Sequence, residues 1–235
     1  MDIETIGYSD PSNRSPEKAT AYLGIYNKIL KRIFDFFFAV VFFILLIPAY
    51  VIIAVIILAE TGRPVLYKAE RGGYKGKNFF IYKFRTMVKD AEKLGGGTTA
   101  LNDSRITKAG HVLRKTKLDE SAQLINIIKG EMSFIGPRPE LIRYTSQYEG
   151  PEKLILQVRP GITDYSSIEF INLDEIVGDQ NADEIYEKYV LKKKNQLRVK
   201  YAQTVSAQND LKLFVKTVTE VIRKAMKYFS NNHVK

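Results

Sequence analysis

The chain has 235 residues, 45% of them hydrophobic and 26% charged, so it can bury one ordinary core and at most a small second unit. Its formal net charge of +10 indicates a polyanionic partner: nucleic acid, phospholipid headgroups or a phosphorylated substrate. It has no Cys and 2 His, which excludes a disulfide framework, a thiol nucleophile and a Cys/His zinc site. Carboxylate chemistry with a divalent ion stays open.

Residues 1–27 are polar and rich in Pro and Ser, which predicts an N-terminal extension with no assigned chemistry. The remaining chain divides by composition into three segments. A membrane helix is predicted over 28–60, a catalytic core over 61–176 and a C-terminal helical segment over 177–235.

The stretch from Ile33 to Ala59 has Asp35 as its only charged residue, and an apolar run of this length predicts a membrane segment. Pro48, near its middle, removes a backbone hydrogen bond and predicts a break in the helix. Basic residues flank both ends, and basic flanks prefer the cytoplasmic side. A re-entrant helix that enters and leaves by one face fits these features, and so does a tilted, kinked single span.

The next segment predicts a β-hairpin, because residues 65–71 and 78–85 are rich in Val, Tyr, Phe and Ile and a Gly/Lys turn separates them. Lys83 and Arg85 share one face of the second strand. That face is either a phosphate-binding surface or a solvated strand edge, since Lys commonly protects exposed edges.

An acidic pair, Asp119 and Glu120, lies inside a basic surround that includes Arg105 and Arg114. We interpret this pair as the chemical centre of an enzyme that handles phosphates. The alternative is structural, because Thr116 and Asp119 have the spacing of a capping box at a helix start. Downstream, Gly136-Pro137-Arg138-Pro139 fixes a guanidinium between two prolines, which suits phosphate or carboxylate binding.

The C-terminal segment predicts basic amphipathic helices, because apolar residues from Leu211 to Ala225 recur at helical spacing with Lys and Arg between them. Such helices lie on a membrane surface or pack on the domain, and the pattern alone does not decide between these arrangements.

Taken together, these motifs resemble the bacterial sugar transferases, the monotopic polyprenyl-phosphate phosphoglycosyl transferases, in the short form without an upstream domain. The matching motifs are Lys31-Arg32-x-x-Asp35, Lys83-Phe84-Arg85-Thr86-Met87, Asp103-x-Arg105-Ile106-Thr107, Leu118-Asp119-Glu120, Gly130-Glu131-Met132-Ser133, Gly136-Pro137-Arg138-Pro139 and Pro160-Gly161-Ile162-Thr163.

The resemblance implies an α/β domain, mostly helical, on a re-entrant helix at the cytoplasmic face of the bacterial inner membrane. The implied reaction transfers a phospho-sugar from a UDP-sugar to undecaprenyl phosphate and releases UMP. Asp119 matches the family's nucleophile, which forms a phospho-sugar aspartyl intermediate. Mg²⁺ is expected on Asp119 and Glu120, since it prefers one or two carboxylates plus substrate phosphates. The expected phosphate or nucleotide ligands are Lys83, Arg85, Arg105, Arg114 and Arg138.

One segment departs from the family pattern. Where the family commonly has Gly-Trp-Ala-Gln-Val-Asn-Gly, this chain has residues 164–170, Asp-Tyr-Ser-Ser-Ile-Glu-Phe, and we expect them to shape the sugar or nucleotide pocket. Two other functions are compatible with the residues: a membrane-tethered, anion-binding adaptor and a polyprenyl-phosphate phosphohydrolase. Phospholipid is an expected partner and nucleic acid is not; a homo-oligomer stays open.

Overall fold

The computed structural model of the protein describes residues 16–94, 99, 103–178 and 180–232. Most of the predicted N-terminal extension, residues 1–15, therefore lies outside the described residues. The rest of that segment is helical: a 3-10 helix over Pro16–Leu23 is followed by a π-helical turn over Tyr26–Leu30. Tyr22 and Tyr26 pack against the C-terminal part of the chain.

Helix α1 (Lys31–Thr61) continues from this turn. In the described part of the chain, one helix, Tyr26–Thr61, is long and apolar enough to cross a membrane, on length and composition alone. Pro48 lies inside α1, and the helix is assigned without interruption on both sides of it. The predicted break is therefore not confirmed. A proline removes a single intrahelical bond, and the remaining bonds can hold the helix together.

One face of α1 packs on the rest of the protein along the whole helix. Ala39, Ile53 and Ile57 are buried on this face, and they belong to two separate core clusters. The other faces expose large apolar side chains, including Phe37, Leu45, Ile52 and Val55. Because exposed apolar area of this extent is costly in water, this surface is built for a non-aqueous environment.

Two small sheets form beside α1. Strands β1 (Leu66–Arg71) and β2 (Phe79–Phe84) pair antiparallel, with a 3-10 turn over Tyr74–Gly76, so the predicted hairpin is confirmed. Strands β3 (Ser133–Ile135) and β4 (Gly161–Thr163) pair in parallel. Gly136 and Gly161 touch at this second sheet, where a Cβ on Gly161 would lie 2.1 Å from the Gly136 nitrogen, so the close approach requires glycine.

The helices α2 (Lys108–Thr116) and α3 (Leu124–Lys129) lie on either side of the acidic pair. Thr107 caps α2 by accepting a bond from the Gly110 nitrogen at 2.9 Å. Helix α3 ends before Gly130, whose φ of 83° is typical of the residue that follows a helix. The remaining helices of the described residues are a 3-10 helix over Ala91–Leu94, α4 (Ile142–Thr145), a 3-10 helix over Gly150–Gln157, α5 (Tyr165–Glu169), α6 (Leu173–Val177), α7 (Ala182–Ile185), a π-helical turn over Tyr186–Val190, α8 (Leu191–Thr204) and α9 (Ala207–Asn232).

The capping-box interpretation of the acidic pair is wrong. Thr116 is the last residue of α2, and its hydroxyl donates to the Val112 carbonyl at 2.9 Å instead of capping a new helix. The chain turns at Lys117, which adopts a left-handed conformation with φ 59°. Asp119 and Glu120 then lie in a short 3-10 helix over Leu118–Gln123, whose start has no side-chain cap. The protein is mostly helical with a β-hairpin, as expected.

Candidate active site

Asp119 is buried in the 3-10 helix, with 6% of its surface exposed. Its Oδ1 atom has no hydrogen-bond partner among the described residues. Burial raises the pKa of Asp119, and the charge of Glu120 raises it further against the opposing effect of Lys83. A buried acceptor without a donor is costly. This oxygen is therefore the position in the site that is best prepared to receive a ligand.

Glu120 differs from Asp119 because cationic side chains bond both of its carboxylate oxygens. Lys83 Nζ lies 3.1 Å from its Oε1, and Arg138 donates to Oε2 at 2.9 Å and also to Oε1. Burial raises the pKa of Glu120, but Arg138 and Lys83 outweigh this effect and keep the pKa well below its usual value. Adjacent acids with pKa values shifted in opposite directions are suited to different tasks.

Arg138 makes further contacts besides those with Glu120. Its Nη1 also donates to the Ile162 carbonyl at 3.1 Å, and its backbone nitrogen lies 3.4 Å from Oδ2 of Asp164. The side chain keeps 26% exposure, so one side of the guanidinium stays accessible. Asp164 is fully buried and caps α5 through the Ser167 nitrogen at 2.7 Å. The segment 164–170, which differs from the family pattern, thus begins with a buried residue that supports Arg138.

A second buried ion cluster lies directly behind the Arg138 turn. Glu140 accepts from Nη2 of Arg198 at 2.7 Å and from the hydroxyl of Tyr186, and Lys194 is 3.9 Å away. Burial raises the pKa of Glu140, but Arg198 and Lys194 outweigh it and lower the pKa to about 2. Through this cluster α8 holds the chain two residues beyond Arg138.

Arg114 approaches the acidic pair from α2. Its guanidinium donates to the Thr86 hydroxyl at 2.9 Å and to Thr99 at 3.1 Å. Burial lowers the pKa of Arg114, and Asp119 opposes that shift through its charge. The approach depends on Gly110, one turn earlier, because a Cβ there would lie 2.0 Å from the Thr86 carbonyl oxygen.

Two of the predicted phosphate ligands are engaged elsewhere. Arg85 Nη2 donates to the Thr61 hydroxyl at 2.6 Å and to the Gly62 carbonyl at 2.5 Å, so it ties β2 to the end of α1. Arg105 forms a two-pronged pair with Asp103, with distances of 2.8 Å and 2.6 Å. The structure thus brings Lys83, Arg114 and Arg138 to the acidic pair, whereas the contacts of Arg85 and Arg105 given above are to Thr61, Gly62 and Asp103.

Sequence reasoning gave no role in this site to Lys117 or Gln123, and it included Asp164 only as part of the pocket segment 164–170. Lys117 acts electrostatically on both acids, and Asp164 supports Arg138. Gln123 is fully buried, and neither its Oε1 nor its Nε2 has a partner among the residues that the structure describes. Side chains three residues apart eclipse in a 3-10 helix, so Gln123 lies on the same side of this helix as Glu120, one turn later. Only burial reveals it.

The carboxylates of Asp119 and Glu120 suit a metal ion whose coordination is completed by substrate phosphates. Within the described ranges, no group of three or more His, Cys, Asp and Glu side chains is arranged to hold a metal. Mg²⁺ is commonly bound by one or two carboxylates plus substrate phosphates. The unpartnered Oδ1 of Asp119 suits that arrangement, and each oxygen of Glu120 has further lone-pair capacity beyond its cation contacts.

The site also touches the apolar helix directly. The Tyr50 hydroxyl, two residues after Pro48, donates to the Ser121 carbonyl at 3.0 Å, and Ser121 follows the acidic pair in the same 3-10 helix. The acidic pair is buried, Arg138 and Lys83 hold Glu120, and the 3-10 helix that carries the pair contacts the middle of an exposed apolar helix. These features indicate a membrane-associated enzyme of phosphate chemistry.

Comparison with known proteins identifies the enzyme family. The sequence profile of the bacterial sugar transferases matches residues 26–224. The sugar transferase EpsL of Bacillus subtilis (strain 168), named as uncharacterized, is 35% identical, over 83% of this chain and 88% of that protein. The UDP-glucose:undecaprenyl-phosphate glucose-1-phosphate transferase of Caulobacter vibrioides is 31% identical, over 82% of this chain and 69% of that protein. The Escherichia coli (strain K12) transferase of the same name is 38% identical, over 60% of this chain and 31% of that protein.

The chain therefore belongs to the bacterial sugar transferase family, and the resemblance stated from its motifs is confirmed.

Proposed function

We propose that this sugar transferase moves a phospho-sugar from a UDP-sugar to undecaprenyl phosphate at the cytoplasmic membrane face and releases UMP. The observation that carries the proposal is the buried Asp119 with an unpartnered oxygen, next to a Glu120 that Arg138 and Lys83 hold in place. The relatives named for this reaction support both substrates.

The reaction proceeds in two displacements. In the first, a carboxylate oxygen of Asp119 attacks the sugar-bearing phosphorus of the donor, and the bond from that phosphorus to the oxygen of UMP breaks. In the second, an oxygen of the lipid phosphate attacks the same phosphorus, the bond to Asp119 breaks, and the carboxylate is restored. Each displacement exchanges one phosphorus–oxygen bond for another, so no external proton or electron is needed. Splitting the transfer allows one site to serve two anionic substrates in turn.

The cations of the site oppose the repulsion between an anionic nucleophile and a diphosphate. Arg138 and Lys83 are fixed by Glu120, so they meet the incoming phosphates without reorganising, which is how charge is best stabilised in a transition state. Arg114 adds a third positive charge from α2. Mg²⁺, held by Asp119 and Glu120 with the donor phosphates, would supply further charge neutralisation.

The contacts of α1 support a re-entrant arrangement in the bacterial inner membrane. Near its start, Arg32 donates to the Ile127 and Ile128 carbonyls at 2.5 Å and 2.8 Å. Near its end, Glu60 accepts from the Lys108 and Ala109 nitrogens at 2.8 Å and 3.2 Å. Both ends thus contact one polar domain.

Arg32 and Glu60 are about 42 Å apart along a straight helix, at ~1.5 Å per residue. This exceeds the ~30 Å hydrocarbon core. A perpendicular span would leave one of these contacts on the wrong side of the bilayer. An entry and an exit at the same face keep both contacts.

The nucleophile is tested with Asp119→Asn in full-length protein, with the exposed acid variant Glu149→Gln as control. Asp119→Asn should lower UMP release from a UDP-sugar by ~10³-fold or more, as expected for loss of a covalent nucleophile. Wild-type protein without lipid acceptor should gain the mass of a phospho-sugar, and Asp119→Asn should not. Full turnover by the Asn variant rules out the assignment.

The products and the topology have separate readouts. Inorganic phosphate in place of UMP would indicate a phosphohydrolase, and salt-sensitive anion binding without turnover would indicate an adaptor. The chain has no Cys, so single Cys substitutions at Lys28 and Arg63 can be labelled cleanly. Both should react from the cytoplasmic side; labelling from opposite sides would restore the single span.

A further inference from the structure

Helix α9 has two separate apolar faces, and only one of them is covered. On the covered face, Leu213 packs into the core, Thr217 shares a hydrogen bond with Thr163 at 2.9 Å, and Lys224 donates to the Ile171 carbonyl at 2.9 Å. A second stripe is exposed to solvent. It consists of Leu211, Phe214, Val215, Val218, Ile222 and Met226.

The spacing of the exposed residues makes this stripe continuous. At 100° per residue its members fall within about a third of the helix circumference, well away from the covered face. From Leu211 to Met226 the stripe is about 22 Å long, at ~1.5 Å per residue. Exposed apolar patches of this size mark an interaction surface. The sequence pattern left open whether the C-terminal helices pack on the domain or lie on a membrane. In α9 one face packs on the domain, and the opposite face is exposed and can bind a partner.

The charges beside the stripe are positive. Lys212, Lys216 and Arg223 are exposed and occupy the adjoining strip of the helix. The acids of α9 are turned away or neutralised: Asp210 is buried against Lys31, and Glu220 pairs with Arg223. An apolar stripe with a basic rim matches a surface that is apolar inside and negatively charged outside.

The position of α9 points to the same partner. Its first turn is fixed to the start of the apolar helix, because Asp210 bonds both Lys31 and the Tyr26 hydroxyl. The stripe therefore begins at Leu211, one residue after this contact, and Ile29 and Leu30, in the turn that leads into α1, are exposed as well. Toward its other end, Lys224 is close enough to Lys117 for their charges to interact. Helix α9 thus runs from the N-terminal end of α1 to the neighbourhood of Lys117, beside the acidic pair.

We propose that helix α9 lies at the interface of an anionic phospholipid bilayer, with its exposed stripe facing the acyl chains. The inference rests on the proposed function only in placing α1 in the same membrane. In this position α9 holds the mouth of the active site at the depth where a lipid phosphate arrives. The basic strip contacts the headgroups, and the stripe contacts the upper acyl chains.

The test uses single fluorescent labels on full-length protein in nanodiscs. The absence of native Cys allows Val218→Cys and Thr219→Cys to carry an environment-sensitive nitrobenzoxadiazole group at neighbouring exposed positions. These positions point about 100° apart, one on the stripe and one toward the basic strip. Quenching is measured with lipids that carry a nitroxide on the upper acyl chain, below the headgroups, in phosphatidylglycerol-containing and in pure phosphatidylcholine bilayers.

The label at position 218 should be quenched roughly threefold or more above the label at 219, as for one face of an interfacial helix, with a larger difference in the anionic bilayer. Equal quenching at both positions, or none at either, overturns the proposal. Crosslinking between copies through position 218, without lipid quenching, assigns the stripe to a second copy and also overturns it.

Repeating the measurement in the Asp119→Asn background separates this proposal from the proposed reaction. The label readout does not depend on turnover, so quenching should be unchanged there. Far-UV circular dichroism checks that each labelled variant is folded.

Discussion

The buried pair between Arg198 and Glu140 gives the sharpest test of how the C-terminal segment supports the site. Arg198 is fully buried and donates to Glu140 at 2.7 Å and to Asn195 Oδ1 at 2.9 Å. The change is Arg198→Met, which keeps much of the volume and removes the charge. It leaves Glu140 buried with Lys194 as the remaining cation, 3.9 Å away.

The magnitude follows from the pKa of Glu140, which lies at about 2 instead of 4.5. With ~1.4 kcal/mol for each tenfold change in proton affinity, the shift corresponds to about 3 kcal/mol of folding free energy. Breaking a buried pair by removing one partner costs a similar ~3–5 kcal/mol. For a chain of this size we expect the melting temperature to fall by roughly 6–12 °C.

Thermal unfolding in detergent, followed by far-UV circular dichroism, measures the effect. Arg143→Met is the control, because its half-exposed guanidinium forms surface ion pairs at 3.5 Å and 3.6 Å and donates to the Tyr144 hydroxyl at 2.7 Å, all outside the buried Glu140 cluster. That variant should stay within ~1 kcal/mol of wild type. A melting temperature of Arg198→Met within the range of this control at neutral pH would refute the reasoning.

Acid provides a second check on the same pair. Because the folded pKa of Glu140 is depressed, its stabilisation is complete above 4.5 and is lost as the pH falls through about 2. The gap between wild type and Arg198→Met should therefore be widest at neutral pH and shrink in acid. A constant gap would mean that packing, and not charge, explains the loss.

Further predictions concern the turn, α2 and the 3-10 helix. Arg138→Lys keeps the charge but loses the two-pronged contact with Glu120, so UMP release should fall ~10²-fold with unchanged melting temperature. Near-normal turnover would show that the two-pronged contact of the guanidinium is not required. Gly110→Ala places a methyl group 2.0 Å from the Thr86 carbonyl oxygen and should destabilise by ~1–3 kcal/mol in thermal unfolding, and an unchanged melting temperature would contradict the close approach. Gln123→Met removes the unpartnered polar atoms and should stabilise by ~1–3 kcal/mol while lowering UMP release; a loss of stability would show that the amide has a partner in the protein.

Much of the architecture was predictable because local rules agreed with the final packing. The hairpin followed from short apolar runs around a Gly/Lys turn, and the end of α3 followed from Gly130. The two prolines beside Arg138 predict a restricted backbone there, whereas the contacts of its guanidinium with Glu120 and Ile162 needed the structure.

Other features were not predictable, because sequence spacing does not record tertiary partners. Lys83 and Arg85 appeared equivalent on one strand, yet Lys83 meets Glu120 while Arg85 bonds Thr61. The capping box was wrong because Lys117 turns the chain before the acids. The buried clamp of Arg198 on Glu140 joins residues 58 positions apart, and no local pattern could have predicted it.

The left-handed Lys117 has a consequence for how this protein can evolve. Glycine adopts a φ of 59° without strain, whereas a lysine there costs of order 1 kcal/mol. The side chain compensates functionally, because its charge favours the ionised forms of both Asp119 and Glu120. Replacement by glycine would relax the backbone and weaken the field at the acids. Selection for thermal robustness and selection for turnover would therefore pull this position in opposite directions.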